Sequence, residues 1–351
     1  MFLRTDRHIP YRLEEEGEGI PAFEVHVRLI DAGLLLGIYG HHSIFDAGRL
    51  DIVISCFAEL TKDPKKTLEI TVPARLSDKA FIAVPVPLAP DLKELLSRCP
   101  EYRLLSSPLG PTQFRDQTIR ALKDELAYPG LTDSKHLPSA FTCLAAITWA
   151  HVTNSRIANG SPKASLAEDA RLMISVDWRR RVTGNTIGSI SGNSIALPIA
   201  SINKSTILAA CNEDQRIAYS AVAAIARAID EAILSVNDDF VAARTALFHW
   251  VPDPRLIGLD FDLSDPLDFY LETWREFGTR TRWDFPGLDN QDCVRGLAPD
   301  ALRRAQAAFG TGAGLVLPET DVTKFEVLIT LDVEAMEHLC NSPSWQRWAE
   351  A

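Results

Sequence analysis

The sequence has no run of the ~18 consecutive apolar residues needed to cross a bilayer, so no membrane span is expected. It also has no basic excess: 36 Lys and Arg stand against 47 Asp and Glu, a net of −11. That balance argues against a broad nucleic-acid-binding face, though it leaves room for a local basic groove for a small anion. The cysteines Cys56, Cys99, Cys143, Cys211, Cys293 and Cys340 form no Cys-x-x-Cys pair and have no clustered His partner. Neither zinc nor a disulfide framework is therefore expected, and the thiols read as reduced and mostly buried in a cytoplasmic protein. Met1–Arg12 lacks the apolar segment of a secretory signal. No serine lies in a Gly-x-Ser-x-Gly context, and there is no repeat or low-complexity tract. The acidic run Glu14-Glu15-Glu16-Gly17-Glu18 reads as a solvated turn rather than a metal site.

What the chain does have is apolar material: 46% of its 351 residues are hydrophobic, enough for two lobes of comparable size. Residues 23–30 alternate apolar and polar as a half-buried strand does, Asp31-Ala32-Gly33 supplies turn chemistry, and Leu34 to Tyr39 reads as a returning, fully buried strand. Beyond Gly48, the positions Leu50, Val53, Ile54, Phe57 and Leu60 share one face at helical spacing. The His41-His42 doublet thus falls at a strand-to-helix junction. The stretch 61–138 reads as a crossover with short helices over 91–98 and 117–126, its prolines at 85, 87 and 90 excluding helix between them. A long helix starts at Pro138-Ser139 with Phe141, Leu144, Ala145, Trp149 and Val152 as its buried stripe, and a second carries Ile217, Ala221, Ile225, Ile229 and Ile233. Strands are expected over 171–176, 194–199, 314–317 and 325–331, and a closing helix over 333–340. Interleaved strands and helices indicate a layered α/β fold, with lobes over residues 1–135 and 136–351.

His42-Ser43-Ile44-Phe45-Asp46 places a carboxylate four residues after a histidine. That spacing alone is weak, since His249-Trp250-Val251-Pro252-Asp253 repeats it without a preceding strand and is taken as coincidence. At 42–46 the doublet, the incoming strand, the small Ala47-Gly48 and the following helix coincide. Acyl transfer from a thioester to an alcohol or amine needs a base for the acceptor's proton, and imidazole, ordinarily titrating at about 6.5, suits neutral pH. Asp46 could orient the ring as in a catalytic triad or hold the loop by pairing with an arginine, and the spacing leaves both open. Gly310-Thr311-Gly312-Ala313-Gly314 precedes a strand instead of opening a helix, so it reads as a hairpin turn and not a dinucleotide loop. His151 falls within the first long helix and reads as structural.

The run from His42 to Gly48 resembles the His-x-x-x-Asp motif of the BAHD acyltransferases. Later segments resemble that family's elements in the same order: Val176-Asp177-Trp178-Arg179-Arg180-Arg181, then Ser191-Gly192-Asn193, Thr273-Trp274-Arg275, Asp284-Phe285-Pro286-Gly287, and the closing pair Leu317-Pro318 and Phe325-Glu326-Val327-Leu328. The resemblance implies two chloramphenicol-acetyltransferase-like lobes, each a mixed β-sheet flanked by helices, with a channel between them. It implies His42 as general base, Asp46 turned away from substrate toward Arg179, Gly192 and Asn193 near the acyl-CoA channel, and Trp274, Asp284 and Gly287 in structural roles. It further implies no resident cofactor, acyl-CoA (acetyl-CoA foremost) as co-substrate, a small alcohol or amine acceptor from secondary metabolism, and a monomer. Family members carry a longer segment before the histidine motif than the 40 residues here, so the N-terminal lobe is expected to be incomplete. Two alternatives follow: a truncated homologue that binds a metabolite or CoA ester without catalysis, and a condensation-domain-like transferase using carrier-protein thioesters.

Overall fold

The computed structural model describes residues 22–31, 33–42, 44–66, 91–104, 122–123, 138–160, 168–179, 181–182, 193–285, 296–304, 311–318 and 324–349. The chain opens with β1 (Phe23–Ile30) and β2 (Gly33–Gly40), an antiparallel hairpin in register from Phe23↔Gly40 to Ile30↔Gly33. Next come α1 (Ala47–Lys62), α2 (Leu92–Ser97), β3 (Tyr102–Leu104) and β4 (Leu122–Lys123). Of the helix expected over 117–126, only the two residues of β4 are described. They pair antiparallel with Lys324–Phe325, which takes their backbone groups out of helical bonding.

The second part runs α3 (Ala140–Ala158), β5 (Asp169–Ile174), β6 (Val176–Asp177), β7 (Ile195–Ala196), β8 (Ile199–Asn203), α4 (Lys204–Ala210), α5 (Gln215–Leu234) and α6 (Asp238–Trp250). It continues with β9 (Ile257–Leu259), β10 (Asp268–Thr273), β11 (Ala313–Val316), β12 (Lys324–Phe325), β13 (Val327–Thr330), α7 (Val333–Asn341) and α8 (Pro343–Gln346). Its centre is a mixed five-stranded sheet ordered β13-β11-β10-β5-β8. Strand β10 runs parallel to both neighbours, and the two outer pairings are antiparallel. This is the α/β class with a mixed sheet and flanking helices.

Helix α3 packs against α4, α5, α7 and β10 and is buried all round, every residue from Thr142 to Thr153 included, so its pattern is that of a core helix and not of a one-sided stripe. Its start is fixed by Ser139, whose Oγ accepts from the Thr142 amide at 3.0 Å. Helix α5 buries Ala218, Ala221, Val222, Ile225 and Ile229 but exposes Ile217, which lies about 100° round the helix from the face turned to α3 and α4. The strand expected over 194–199 is divided into β7 and β8. The Pro198 carbonyl between them accepts from the Ile174 amide, which joins the break to β5. Gly312, at φ +96°, leads into β11, which lies parallel to β10, so the glycine-rich run forms no hairpin between them.

The first part is thinner. The hairpin is a two-stranded sheet of its own, and only Gly37 of β2 is buried, contrary to the fully buried strand expected. Leu36 and Ile38 face Leu50, Ile54, Phe57 and Ala58 of α1, completed by Trp283, Phe277 and Phe285 from the far part of the chain. Val27 and Leu29, toward the turn on that same face, and Leu35 on the opposite face are left exposed. Helix α2 and β3 join α6 and β9 around Leu95, Cys99, Ala246 and Leu247, and the buried Glu101 receives two bonds from the Arg244 guanidinium, at 2.6 and 2.7 Å. Cys99 and Cys143 are buried, while Cys56, Cys211 and Cys340 are only half-buried; Cys293 lies outside the described residues. No helix of the described residues is long and apolar enough to cross a membrane.

Candidate active site

The site is assembled at the junction of β2 and α1. Gly40 ends β2 where a Cβ would approach the Leu50 and Phe45 side chains to 3.1 and 3.2 Å, so a glycine lets the hairpin close onto the helix. The chain then turns: the His41 carbonyl accepts from the amides of Ile44 (2.9 Å) and Phe45 (3.1 Å). The turn delivers Asp46 as the N-cap of α1, its Oδ1 accepting from the Arg49 amide at 2.9 Å. His42 sits on the turn with its side chain exposed.

Asp46 is buried, and its carboxylate is committed elsewhere than to the His42 ring. Oδ2 accepts from Arg179 Nη2 at 2.5 Å and from the Ser194 amide at 2.8 Å. Burial pushes the Asp46 carboxyl up, but the Arg179 hydrogen bond, the amides of Ser194 and Arg49 and the arginine's charge together hold it below the usual carboxylate value. Arg179 is itself fixed by Asp177, whose Oδ2 lies 3.0 Å from Nη1 and whose Oδ1 accepts the Arg179 amide at 2.8 Å. Of the two roles the spacing left open, the geometry has the carboxylate locking the loop through an arginine. Beside the pair, the Arg49 guanidinium is lowered in pKa by burial and then by the charge of Arg179, with Asp46 and Asp177 opposing.

Asn193 does not simply border the turn. Its Nδ2 donates to the His42 carbonyl at 2.7 Å, a contact across 151 positions of sequence. Together with the Ser194 amide this contact was not read from the sequence. The polar pair just after Gly192 is its only trace, and no short-range pattern points from 193 back to 42.

The other expected residues are dispersed. Trp274 packs on Leu315, Leu317 and Leu328, with Phe277 at 5.1 Å, and its amide donates to the Val316 carbonyl, so it belongs to the end of the large sheet. Asp284 is exposed, and its amide donates to Thr61 Oγ1 at 3.1 Å. Gly278 donates to Asp51 Oδ1 at 2.6 Å, and Trp283 meets Phe57 edge-on at 5.5 Å. The 278–284 segment therefore clasps α1 along its length, while Arg179 and Ser194 clasp its N-terminus. Gly192 and Gly287 lie outside the described residues. His249 ends α6 against Trp250, away from any aspartate pairing with its ring. His151 is buried in α3, Nδ1 against the Ile147 carbonyl and the ring 5.6 Å from that of Trp345. Among the described residues no cluster of His, Cys, Asp or Glu could hold a metal ion.

Among known proteins, the chain is similar to the acyltransferase easC of Emericella nidulans, with 23% identity covering 96% of this chain and 71% of that protein. It is also similar to the O-acetyltransferase ptmV of Penicillium ochrochloron, with 20% identity over 94% and 72%. Of solved structures, TRI101 of F. sporotrichioides, complexed with coenzyme A and T-2, superposes with a TM-score of 0.71 at 18% identity, covering 99% of this chain and 73% of that one. Vinorine synthase gives 0.57 at 14% identity, covering 90% and 64%. These structural likenesses establish the shared α/β fold. The sequence model described as the Transferase family matches residues 7–258, well over half the chain, and the protein accordingly belongs to that family, the BAHD-type acyltransferases.

Proposed function

We propose that the protein transfers an acyl group, acetyl first among the candidates, from acyl-CoA to a hydroxyl of a small secondary metabolite, with His42 as general base. The observation that carries this reading is the exposed His42 side chain on a turn whose carboxylate is fully engaged by Arg179, Ser194 and Arg49. Such a ring is available to an incoming acceptor, while its backbone is anchored. In the reaction, His42 takes the acceptor's O–H proton as the oxygen attacks the thioester carbonyl carbon. The tetrahedral intermediate then collapses with cleavage of the C–S bond, and the CoA thiolate leaves and recovers the proton from the imidazolium. An amine acceptor fits the same steps.

The binding of coenzyme A by TRI101 and the O-acetyltransferase name of the Penicillium relative support the donor and the acetyl choice. On this reading the protein is a cytoplasmic monomer, with its two lobes divided near residue 135.

The test is release of CoA from acetyl-CoA across a panel of alcohol and amine metabolites, comparing the wild-type chain with His42→Ala. Acceptor-dependent release that falls by about 10²- to 10⁴-fold in the variant, at unchanged thermal stability, is the expected result. Release that persists in the variant would remove His42 from the mechanism. A folded chain that binds acetyl-CoA and yields no product across acceptors and donors would instead support the non-catalytic binding homologue.

A further inference from the structure

We infer that Asn193 is a positioning residue for the general base: its side-chain amide sets where the His42 ring stands, and it does not serve as an acyl-CoA contact. The inference rests on His42 being the base. Two consecutive residues, Asn193 and Ser194, hold the two ends of the histidine turn, the first at the His42 carbonyl (2.7 Å) and the second at the Asp46 carboxylate (2.8 Å).

The two ends differ in redundancy. Asp46 keeps its place through Arg179 and the Arg49 amide even if one bond is lost. His42 has no comparable reserve, because the Asn193 bond is the one hydrogen bond recorded for that residue among the described residues. The turn is closed by the neighbouring carbonyl, that of His41, which takes both Ile44 and Phe45, so the His42 carbonyl faces outward to whatever donor meets it. Because a carbonyl oxygen only accepts, the amide nitrogen of Asn193 and not its oxygen must face it. Asn193 comes from the segment between β6 and β7, a two-stranded pair that follows β5 and precedes β8, so the base is registered against the second part of the chain, not only against its own hairpin. A displacement of about 1 Å at a catalytic group can cost up to ~10²-fold in rate, which sets the scale of the effect.

The experiment compares Asn193→Ala and Asn193→Asp with wild type, using acetyl-CoA and an acceptor that the panel yields. Aspartate keeps the size but presents oxygen to oxygen, so it must not rescue. The expected result is a fall in kcat of about ten- to a hundredfold in both, KM for acetyl-CoA within about twofold, and no further loss when Asn193→Ala is added to His42→Ala, since the two act through one ring. A second measurement needs no acceptor. The imidazole ¹H–¹⁵N signals of His42, assigned by their loss in His42→Ala, shift or broaden in Asn193→Ala while those of the other histidines stay. Unchanged kcat and unchanged ring signals would overturn the inference, as would a raised KM for acetyl-CoA at retained kcat, which would make Asn193 a donor contact. An Asn193 variant that is harmless while His42→Ala is inactive sinks the positioning role alone. Full turnover in His42→Ala sinks the base assignment and the inference with it.

Discussion

The large sheet and the histidine hairpin are held together by different physics. Around the sheet, α3 is buried on every side, with Trp149, Ile147 and Leu172 fully buried. The hairpin and α1 bury only Gly37, Ile54 and Ala58 of their own, borrow Trp283, and rely on directional polar links: Asp46 to Arg179 and Ser194, Asn193 to His42, Asp51 to Gly278. Apolar packing supplies bulk stability and tolerates little change of volume. Hydrogen bonds and an ion pair supply less net stability but define a position. On the proposed function the chemistry stands on the part that is positioned, and the stability resides in the part that is packed.

The widest break in this comparison is expected from Trp149→Ala. Removing a fully buried indole from the middle of α3 should cost about 3–5 kcal/mol, read as a lower denaturation midpoint of the whole protein. Asp46→Ala should come next, at about 3 kcal/mol, because it takes the buried carboxylate away from the largely buried Arg179 guanidinium, whose other carboxylate contact, Asp177, is exposed. Its signature is loss of turnover together with stability, unlike His42→Ala.

Acid titration separates the two regions by pH. His151, inside the packed region, is lowered to about 4, first by burial and then by the charge of Arg347, against raising bonds from the Ile147 carbonyl and the Ser344 backbone. Protonation is therefore easier in the unfolded chain. The stability that neutral His151 contributes is complete above about 6.5 and is lost as pH falls toward 4. His151→Gln should flatten the stability profile in that window. Asp46 is likewise lowered, so its contribution is present above the usual carboxylate range and disappears only as pH falls below about 4. A profile measured in both variants should lose one limb each. The smallest effect is expected at Leu29→Gln, exposed near the turn end of the hairpin, where stability should move by no more than about 0.5 kcal/mol.

How much of this the sequence disclosed follows the same divide. Helical periodicity located α5, because one-sided packing imprints a period on the chain, whereas α3, buried all round, was found by its Ser139 cap and apolar spacing. The histidine junction was legible because a strand, a turn and an N-cap are local features. What periodicity misjudged was depth: Leu34 to Tyr39 is as apolar as a buried strand but has a partner on one side only, and Ile217 lies just off the face that α5 buries. The clasp on α1 by residues 278–284, and that by Arg179, Asn193 and Ser194 on the turn, join positions more than a hundred residues apart, and no window of sequence contains both partners. The resemblance named Arg179 as partner to Asp46 and put Asn193 near the donor channel; the bond from Asn193 to the His42 backbone is a contact it did not name.

That long reach has a consequence during synthesis. The histidine turn is translated before its fasteners, at 179, 193 and 194, which emerge more than 130 residues later, and a further clasp waits for residue 278. A nascent chain before that point carries the His42 motif with its local turn and cap bonds but without these long-range ones. Closing loops of such span comes late in folding, so acquisition of activity should lag behind formation of helical signal, and the growing polypeptide stays chemically silent until its sheet exists.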